Sequence, residues 1–335
     1  MNPLDSRTPS SRRSFLQTMA GATAVVAGGA VLAGPTTADL PIIDTHQHLW
    51  DLSKVQLPWL KGAPDVLSHT YGLDEYRKAT EGLNVVQAVY MEVDVRPEDQ
   101  VKEAELLLDI CRSKKAPTVA AVISGRPGSE GFEAYAQRFA KNPEIKGIRR
   151  VLHSPETPKG TCLDPAFVKS IQLLGELNLS FDLCMRPEEL KDAAKLVKQC
   201  PGTRFILDHC GNGSPDAFLP EDKQSKKPSH TAADWQDDIA ALAALDNVIC
   251  KISGVIASAP KGIPFVESLA PLVNHCLDRF GKDRVIFGGD WPVCLLGASY
   301  KEWVTTLKTL VASRPEQEQR QLFAENARKF YGLSK

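Results

Sequence analysis

Eight short apolar segments, separated by stretches of helical length, set the strongest limit on how this chain can fold. Each segment is rich in β-branched residues, and most are apolar throughout rather than alternately, which is typical of parallel strands covered on both faces. The predicted strands are residues 42–46, 85–92, 119–124, 145–152, 179–185, 205–209, 248–252 and 285–287.

Amphipathic stretches lie between the predicted strands, and several of them begin with proline or acidic residues. These residue types favour a helix start, because the first N–H groups of a helix have no intrahelical partner and the helix dipole is positive there. The predicted helices are residues 97–115, 164–178, 187–200, 231–245, 264–280, 300–311 and 316–331.

Eight strand–helix units predict an α/β fold, a (β/α)8 TIM barrel formed as one domain by residues 41–335. A doubly wound sheet is the alternative, but no Gly-x-Gly-x-x-Gly follows a predicted strand. Two long connections, residues 49–82 and 211–229, follow strand ends. We therefore expect them on the active-site face of the barrel, where they help to form a substrate pocket.

The first 38 residues have the pattern of a targeting segment. Residues 11–16 read SRRSFL, an Ala-, Gly- and Val-rich run follows from residue 18 to residue 34, and no acidic residue lies between Asp5 and Asp39. Twin arginines before an apolar run predict a twin-arginine export signal at residues 1–38 and a periplasmic location. The run is shorter than the roughly 20 residues that span a bilayer, so we expect no stable membrane association after cleavage. An uncleaved anchor is the alternative.

Charge and cysteine content favour an ordinary globular protein with a small-molecule substrate. The 40 Lys and Arg residues against 41 Asp and Glu residues give a net charge of −1, without the basic clusters that nucleic-acid binding requires. The eight cysteines form no Cys-x-x-Cys pair, and we expect them to be buried small apolar residues. The sequence leaves open whether one or two disulfides form after export and whether the chain is a homo-oligomer.

The sharpest local signal stands at the end of the first predicted strand, where residues 43–48 read IDTHQH. His46 and His48 are two residues apart on a strand and point to the same side, so both imidazoles could bind one metal ion. Two hydrogen-bonded histidines are the alternative. Asp290 follows the last predicted strand, where an acid can ligate a metal or act as a general base.

Together, these motifs resemble the metal-dependent amidohydrolase superfamily, whose barrels open with His-x-His on strand one and close with Asp on strand eight. Within it the chain is similar to sugar-lactone hydrolases such as fuconolactonases and rhamnonolactonases. The matching stretches are DTHQHLWD at 44–51, LPWL at 57–60, KGIR at 146–149, FDL at 181–183, LDHCG at 207–211, CKISG at 250–254 and FGGDWPV at 287–293.

The resemblance implies a role for each matched polar residue. Asp290 would be the general base that activates water, and His209 would act from strand six on the substrate carbonyl or the metal. Arg149 would be the cation that steadies the substrate oxygens, with a salt bridge at the strand end as the alternative. His46, His48 and Asp290 would hold one divalent metal ion, for which zinc is the expected cofactor.

Four further residues are candidates for substrate contact: Trp59, Glu92, Arg150 and Lys251. For Glu92 the alternatives are metal ligation and an ion pair, and for Lys251 a buried pair with an aspartate. Arg150 stands where similar lactonases often have His, which favours either a more anionic substrate or a second ion pair.

The chain departs from its relatives on strand five, which carries Asp182 and Cys184 where many of them supply a metal-binding histidine. Strand four offers no bridging Lys or Glu, so we expect at most one metal ion. The leading prediction is a hydrolase that opens a lactone or other cyclic ester, sugar-derived. A metal-dependent decarboxylase of the same superfamily and a non-catalytic barrel that binds a sugar acid are the alternatives.

Overall fold

The computed structural model describes residues 40–334, which contain eight parallel strands hydrogen-bonded in chain order. The predicted TIM barrel and all eight predicted strands are confirmed, with differences of one or two residues at the ends. The strands are β1 (Ile42–Gln47), β2 (Val85–Met91), β3 (Thr118–Ser124), β4 (Ile145–Val151), β5 (Ser180–Cys184), β6 (Arg204–Leu207), β7 (Val248–Ile252) and β8 (Val285–Phe287). The export signal predicted at residues 1–38 lies outside the described residues.

Helices follow the strands, as a (β/α)8 barrel requires. They are α1 (Leu73–Ala79), α2 (Gln100–Ser113), α3 (Phe132–Phe139), α4 (Pro165–Glu176), α5 (Leu190–Gln199), the short turn α6 (His209–Asn212), α7 (Ala232–Ala243), α8 (Phe265–Phe280), α9 (Tyr300–Leu310), α10 (Glu316–Arg320) and α11 (Asn326–Tyr331). Single 3-10 turns, Pro97–Asp99 and Pro187–Glu189, precede α2 and α5. One π-helical turn, Gln321–Glu325, separates α10 from α11, so the predicted helix at 316–331 is interrupted.

Helices α1, α3 and α6 were not predicted from the sequence. The α1 helix has seven residues and buries only Tyr76, and α3 has eight residues after Gly131. Segments this short bury too few apolar side chains for a helical period to stand out, and packing against the barrel stabilises them instead.

Apolar side chains from the strands fill the barrel interior, and the C-terminal segment packs against them. The strand residues are Ile43, Val89, Met91, Ala120, Val122, Ile206, Ile249 and Ile286, and Ala324, Ala327, Tyr331 and Leu333 come from the C-terminal segment. All eight cysteines are buried, as predicted, and the structure shows them as free thiols. Within residues 40–334 we find no helix with the length and apolarity needed to cross a membrane.

The barrel closes between β1 and the chain after β8, and Asp44 holds this junction together. Asp44 Oδ1 accepts hydrogen bonds from the backbone N–H groups of Gly289 at 2.7 Å and His46 at 3.0 Å. Asp44 Oδ2 accepts from the hydroxyl groups of Tyr76 at 2.8 Å and Tyr300 at 3.0 Å. One buried carboxylate therefore joins β1 to the β8 loop and to helices α1 and α9.

We expect Asp44→Ala to lower the free energy of unfolding by about 3–5 kcal/mol, because it leaves four buried donors without an acceptor. Urea denaturation at neutral pH measures this loss. Asp44→Asn is the control: its amide oxygen can still accept from the two backbone donors, so the loss should be smaller. A loss below about 1 kcal/mol for the alanine variant would contradict the role of Asp44 at this junction.

Candidate active site

A cavity of about 440 Å³ lies at the carboxyl ends of the strands. Its polar lining comes from the ends of several strands and the loops beyond them: His48, Asp94, Arg149, His153, Ser154, Cys184, His209, Asn212, Ser258 and Asp290. Its apolar lining includes Trp50, Trp59, Val93, Val151, Pro155, Val255, Ala257 and Val293. The two long connections predicted to form the pocket contribute both tryptophans and also Asn212.

Strand β1 and the turn after β8 bring His46, His48 and Asp290 together. His46 Nε2 lies 3.5 Å from Asp290 Oδ1, and His48 Nε2 lies 3.3 Å from the same oxygen. The backbone supports this arrangement, because the Asp290 N–H donates to the His46 carbonyl oxygen at 2.8 Å. All three side chains are buried.

The hydrogen bonds of the two histidines leave both Nε2 atoms as acceptors. His48 Nδ1 lies 3.0 Å from the Met91 carbonyl oxygen, which can only accept, so this nitrogen carries a proton. Arg149 Nη1 donates to His46 Nε2 at 3.2 Å, so the lone pair of His46 is on Nε2. Each Nε2 lone pair therefore lies close to Asp290 Oδ1, another acceptor, an arrangement that needs a proton or a cation between them.

These residues fit one divalent cation of the zinc type. Imidazole nitrogens and a carboxylate oxygen are ligands that zinc takes at catalytic sites, where one position stays open. The separations of 3.3 and 3.5 Å place each histidine close to Asp290, and the ligand atoms of His46, His209 and Asp290 all lie within 4.8 Å of one another. Burial, together with the charge of Lys251, lowers the pKa of His46 well below its ordinary value, so His46 stays neutral and able to ligate. Arg149, which donates to His46 Nε2, competes with a metal ion for the lone pair of that nitrogen.

Arg149 lies at the edge of the cavity with its charge matched by two buried carboxylates. Its Nε donates to Glu92 Oε1 at 2.6 Å, its Nη2 to the Glu92 carbonyl oxygen at 2.8 Å, and its Nη1 to Asp208 Oδ2 at 3.3 Å. The charges of Glu92 and Asp208 outweigh the opposing effect of burial and raise the pKa of Arg149.

Lys251 lies behind the cavity, between two aspartates. Its Nζ is 2.8 Å from Asp182 Oδ2 and 2.9 Å from Asp208 Oδ1, and all three side chains are fully buried. Burial alone would raise the pKa of Asp208, but Lys251, His209 and Arg149 lower it to about 2. Asp208 is therefore ionised, and its Oδ1 lies 3.7 Å from His46 Nδ1, the nitrogen that carries the imidazole proton.

His209 stands at the end of β6 in a left-handed backbone conformation, with φ 52°. Its Nδ1 lies 2.9 Å from Ser253 Oγ, and its ring centroid lies 4.5 Å from that of His46. Burial lowers the pKa of His209, against the charges of Asp290 and Asp208, so the ring is neutral. Gly254 makes room for it, because a Cβ at Gly254 would come within 2.3 Å of His209 Nδ1.

The residues predicted to contact substrate fall into two groups. Trp59 lines the cavity, and its Nε1 donates to the Val93 carbonyl oxygen at 2.7 Å. Glu92 and Lys251 are not part of the lining, because their charged groups pair with Arg149 and with two aspartates. Arg150 is also outside the lining: Arg149 points to the barrel interior, and the next residue of a strand points outward.

The structure adds cavity residues that sequence reasoning missed, among them Asp94 and His153. Asp94 is two residues beyond Glu92 and pairs with Arg126 at 2.9 Å. Burial and the charge of Glu92 raise the pKa of Asp94 to about 6. His153 follows β4, and burial is the main cause that lowers its pKa to about 4. Their positions just past predicted strand ends were the signal that could have found them.

Residues 43–333 match the protein-family model described as Amidohydrolase. The chain is 27% identical over 300 residues to an L-fucono-1,5-lactonase of Burkholderia multivorans, covering 87% of this chain and 96% of that protein. It is 26% identical over 342 residues to an L-rhamnono-gamma-lactonase of Scheffersomyces stipitis, covering 87% and 98%. Among solved structures, an amidohydrolase from Burkholderia multivorans with bound zinc superposes with a TM-score of 0.75 at 25% identity, covering 88% and 100%.

For any substrate that the wild-type protein converts, we expect Gly254→Ala to lower kcat by about tenfold or more, because the added Cβ displaces His209. Gly262→Ala is the matched control: Gly262 also has a positive φ, 78° against 69° for Gly254, but open space surrounds it. Both variants strain the backbone, but only Gly254→Ala adds a steric clash, so it should lose more stability in thermal unfolding than Gly262→Ala. Equal activity in the two variants would show that the position of His209 does not matter.

Proposed function

The chain belongs to the amidohydrolase family, and from that premise we propose that it hydrolyses lactones derived from sugars, with a water molecule activated by Asp290. One observation carries the proposal: the Asp290 carboxylate faces two histidines at 3.3 and 3.5 Å inside a cavity at the carboxyl ends of the strands. The lactonase names of the two relatives support the reaction class.

Opening a lactone requires water to be deprotonated as it attacks the ester carbon. In our proposal Asp290 takes that proton, and the new C–O bond gives a tetrahedral intermediate with a negative oxygen. The ring C–O bond then breaks, and the proton held by Asp290 passes to the departing ring oxygen. The product is a hydroxy acid, and Asp290 is again ionised.

Stabilisation of the negative oxygen is assigned to His209 and Arg149. A neutral His209 has one N–H, which lies on Nε2 when Nδ1 accepts from the Ser253 hydroxyl. That N–H can donate to the substrate carbonyl oxygen. The guanidinium of Arg149 lies at the same face with its donors held by Glu92 and Asp208, so it acts as a fixed positive charge.

His46, His48 and Asp290 would hold the divalent metal ion of the site, with His209 nearby: the ligand atoms of His46, His209 and Asp290 lie within 4.8 Å of one another. When bound, such an ion polarises a carbonyl and lowers the pKa of water. The Asp208 carboxylate faces the opposite ring nitrogen of His46 at 3.7 Å, beyond hydrogen-bond distance.

We propose further that the protein acts on its small-molecule substrate in the periplasm after twin-arginine export. The sequence SRRSFL at residues 11–16 and the apolar run after it support this location.

We expect Asp290→Asn to lower kcat/KM on any hydrolysed lactone by about 10²–10⁴-fold, because an amide cannot accept the proton of the attacking water. Acid release from a panel of aldonolactones, followed at constant pH, measures this. Asp192→Asn is the control, since Asp192 pairs with Lys195 away from the cavity. If the wild type releases acid from none of these lactones, or if Asp290→Asn matches it, the proposal is wrong.

Elemental analysis of protein purified without added metal should find about one zinc or similar ion per chain, and much less in His48→Ala. His275→Ala on α8, outside the cavity, should keep the ion. We expect removal by a chelator to slow lactone hydrolysis and replacement of the metal to restore it. Full activity in metal-free protein would leave the histidines as substrate ligands and Asp290 as the only activator of water.

A further inference from the structure

Asp94 places a negative charge on the wall of the cavity that Asp290 also lines. It follows β2 and has a left-handed backbone, with φ 48°. Its Oδ1 accepts from Arg126 Nη2 at 2.9 Å, and the side chains are 24% and 20% exposed. Asp94 lines the cavity, whereas Arg126 is not part of the lining. A ligand in the cavity therefore meets the carboxylate rather than the guanidinium behind it.

Within residues 40–334, Arg149 in the cavity lining and Arg126 beside Asp94 are each paired with a carboxylate, and Arg150, which also interacts with Asp94, is not part of the lining. Glu92 and Asp208 pair with Arg149, and Asp94 pairs with Arg126. The wall thus offers no free cation to receive a carboxylate or sulfonate group on a substrate.

The remaining wall groups beyond the strand ends are uncharged or apolar. His153 is neutral at physiological pH, and the other polar groups there are Ser154, Asn212 and Ser258. They lie in loops past β4, β6 and β7, so they meet the ring substituents of a lactone whose ester group is at Asp290. The rest of this wall is formed by tryptophan, valine, proline and alanine side chains.

We propose that Asp94, held in place by Arg126, makes this site selective for lactones whose ring substituents carry no negative charge. The inference rests on the proposed lactone hydrolysis and narrows its substrate class. Because Arg150 lies outside the cavity lining, its charge does not by itself favour an anionic substrate.

The test compares lactones that differ only in the charge of one substituent. D-glucono-1,4-lactone and D-glucaro-1,4-lactone have CH2OH and carboxylate, respectively, at C6, and the D-galactono and galactaro lactones form a second pair. At pH 7.5, where Asp94 is ionised, we expect kcat/KM to be about 100-fold higher for the neutral member of each pair. This ratio corresponds to the repulsion between two like charges in contact at a partly exposed site.

Variants of Asp94 and Arg126 form a double-mutant cycle for this preference. In Asp94→Asn the amide oxygen can still accept from Arg126, which Val95 and Gly125 carbonyl oxygens also hold, but the positive charge is no longer matched. We expect the preference for the neutral lactone to fall at least about 30-fold. Arg126→Gln should increase the preference, because Asp94 is then unpaired, and the double variant should lie between the two single ones.

The outcomes separate this inference from the proposed function. Similar rates on both members of a pair, or a preference that does not change in Asp94→Asn, would overturn the role of Asp94 and leave lactone hydrolysis intact. No hydrolysis of any lactone by the wild type would overturn the proposed function itself. Asp192→Asn, on the outside of the barrel, should leave both rates and their ratio unchanged.

Discussion

The pairing of buried charges around Asp208 is the interaction on which the candidate site depends. Asp208 contacts Lys251 and Arg149 and lies 3.7 Å from His46; Asp208, Lys251 and His46 are fully buried, and Arg149 is nearly so. Taking such ions out of water costs several kcal/mol each unless opposite charges and hydrogen bonds replace the solvent. The charges are therefore stable only as a set, and one member of the set, Arg149, donates to His46 Nε2 at 3.2 Å and so leaves the proton of His46 on Nδ1. The ion pairs that stabilise these buried charges therefore also contribute to the geometry of the site.

The barrel itself could be predicted because parallel strands covered on both faces leave a strong signal. All eight strands were found as continuous apolar runs, and the helices with proline or acidic starts were found with them. Helices α1 and α3 were missed because each has eight residues or fewer, and their stability comes from tertiary packing rather than from a helical pattern. The junction at Asp44 was also missed, since its four donors come from distant parts of the chain.

The sequence predicts which side chains point into the barrel, but not how far along the barrel axis each one ends. The two-residue period of a strand directs Arg149 and Lys251 to the barrel interior. His46 lies on the same side as Ile43, three residues earlier, because the register of β1 shifts between Asp44 and Gln47. The period does not say how far along the barrel axis each side chain ends, and this is why Lys251 was expected in the pocket although it lies behind it. Asp94 and His153 stand in loops beyond the strands, where no period applies and the backbone conformation decides which side chain faces the cavity.

Four cavity residues other than glycine have left-handed backbones with φ between 48° and 54°: Asn212 in α6 and, at strand ends, Asp94, His209 and Asp290. Residues other than glycine rarely adopt this conformation, which costs on the order of 1 kcal/mol or more. Each of the last three lies just past a strand end, where the chain must turn sharply if its side chain is to face the cavity. Hydrogen bonds hold two of these turns: the Asp94 N–H donates to Glu92 Oε2 at 2.6 Å, and the Asp290 N–H donates to the His46 carbonyl oxygen at 2.8 Å. The strain persists because Glu92 and His46 are themselves fixed by the buried charges, so the ion pairs that stabilise the barrel interior also keep its reactive face in an unfavourable conformation.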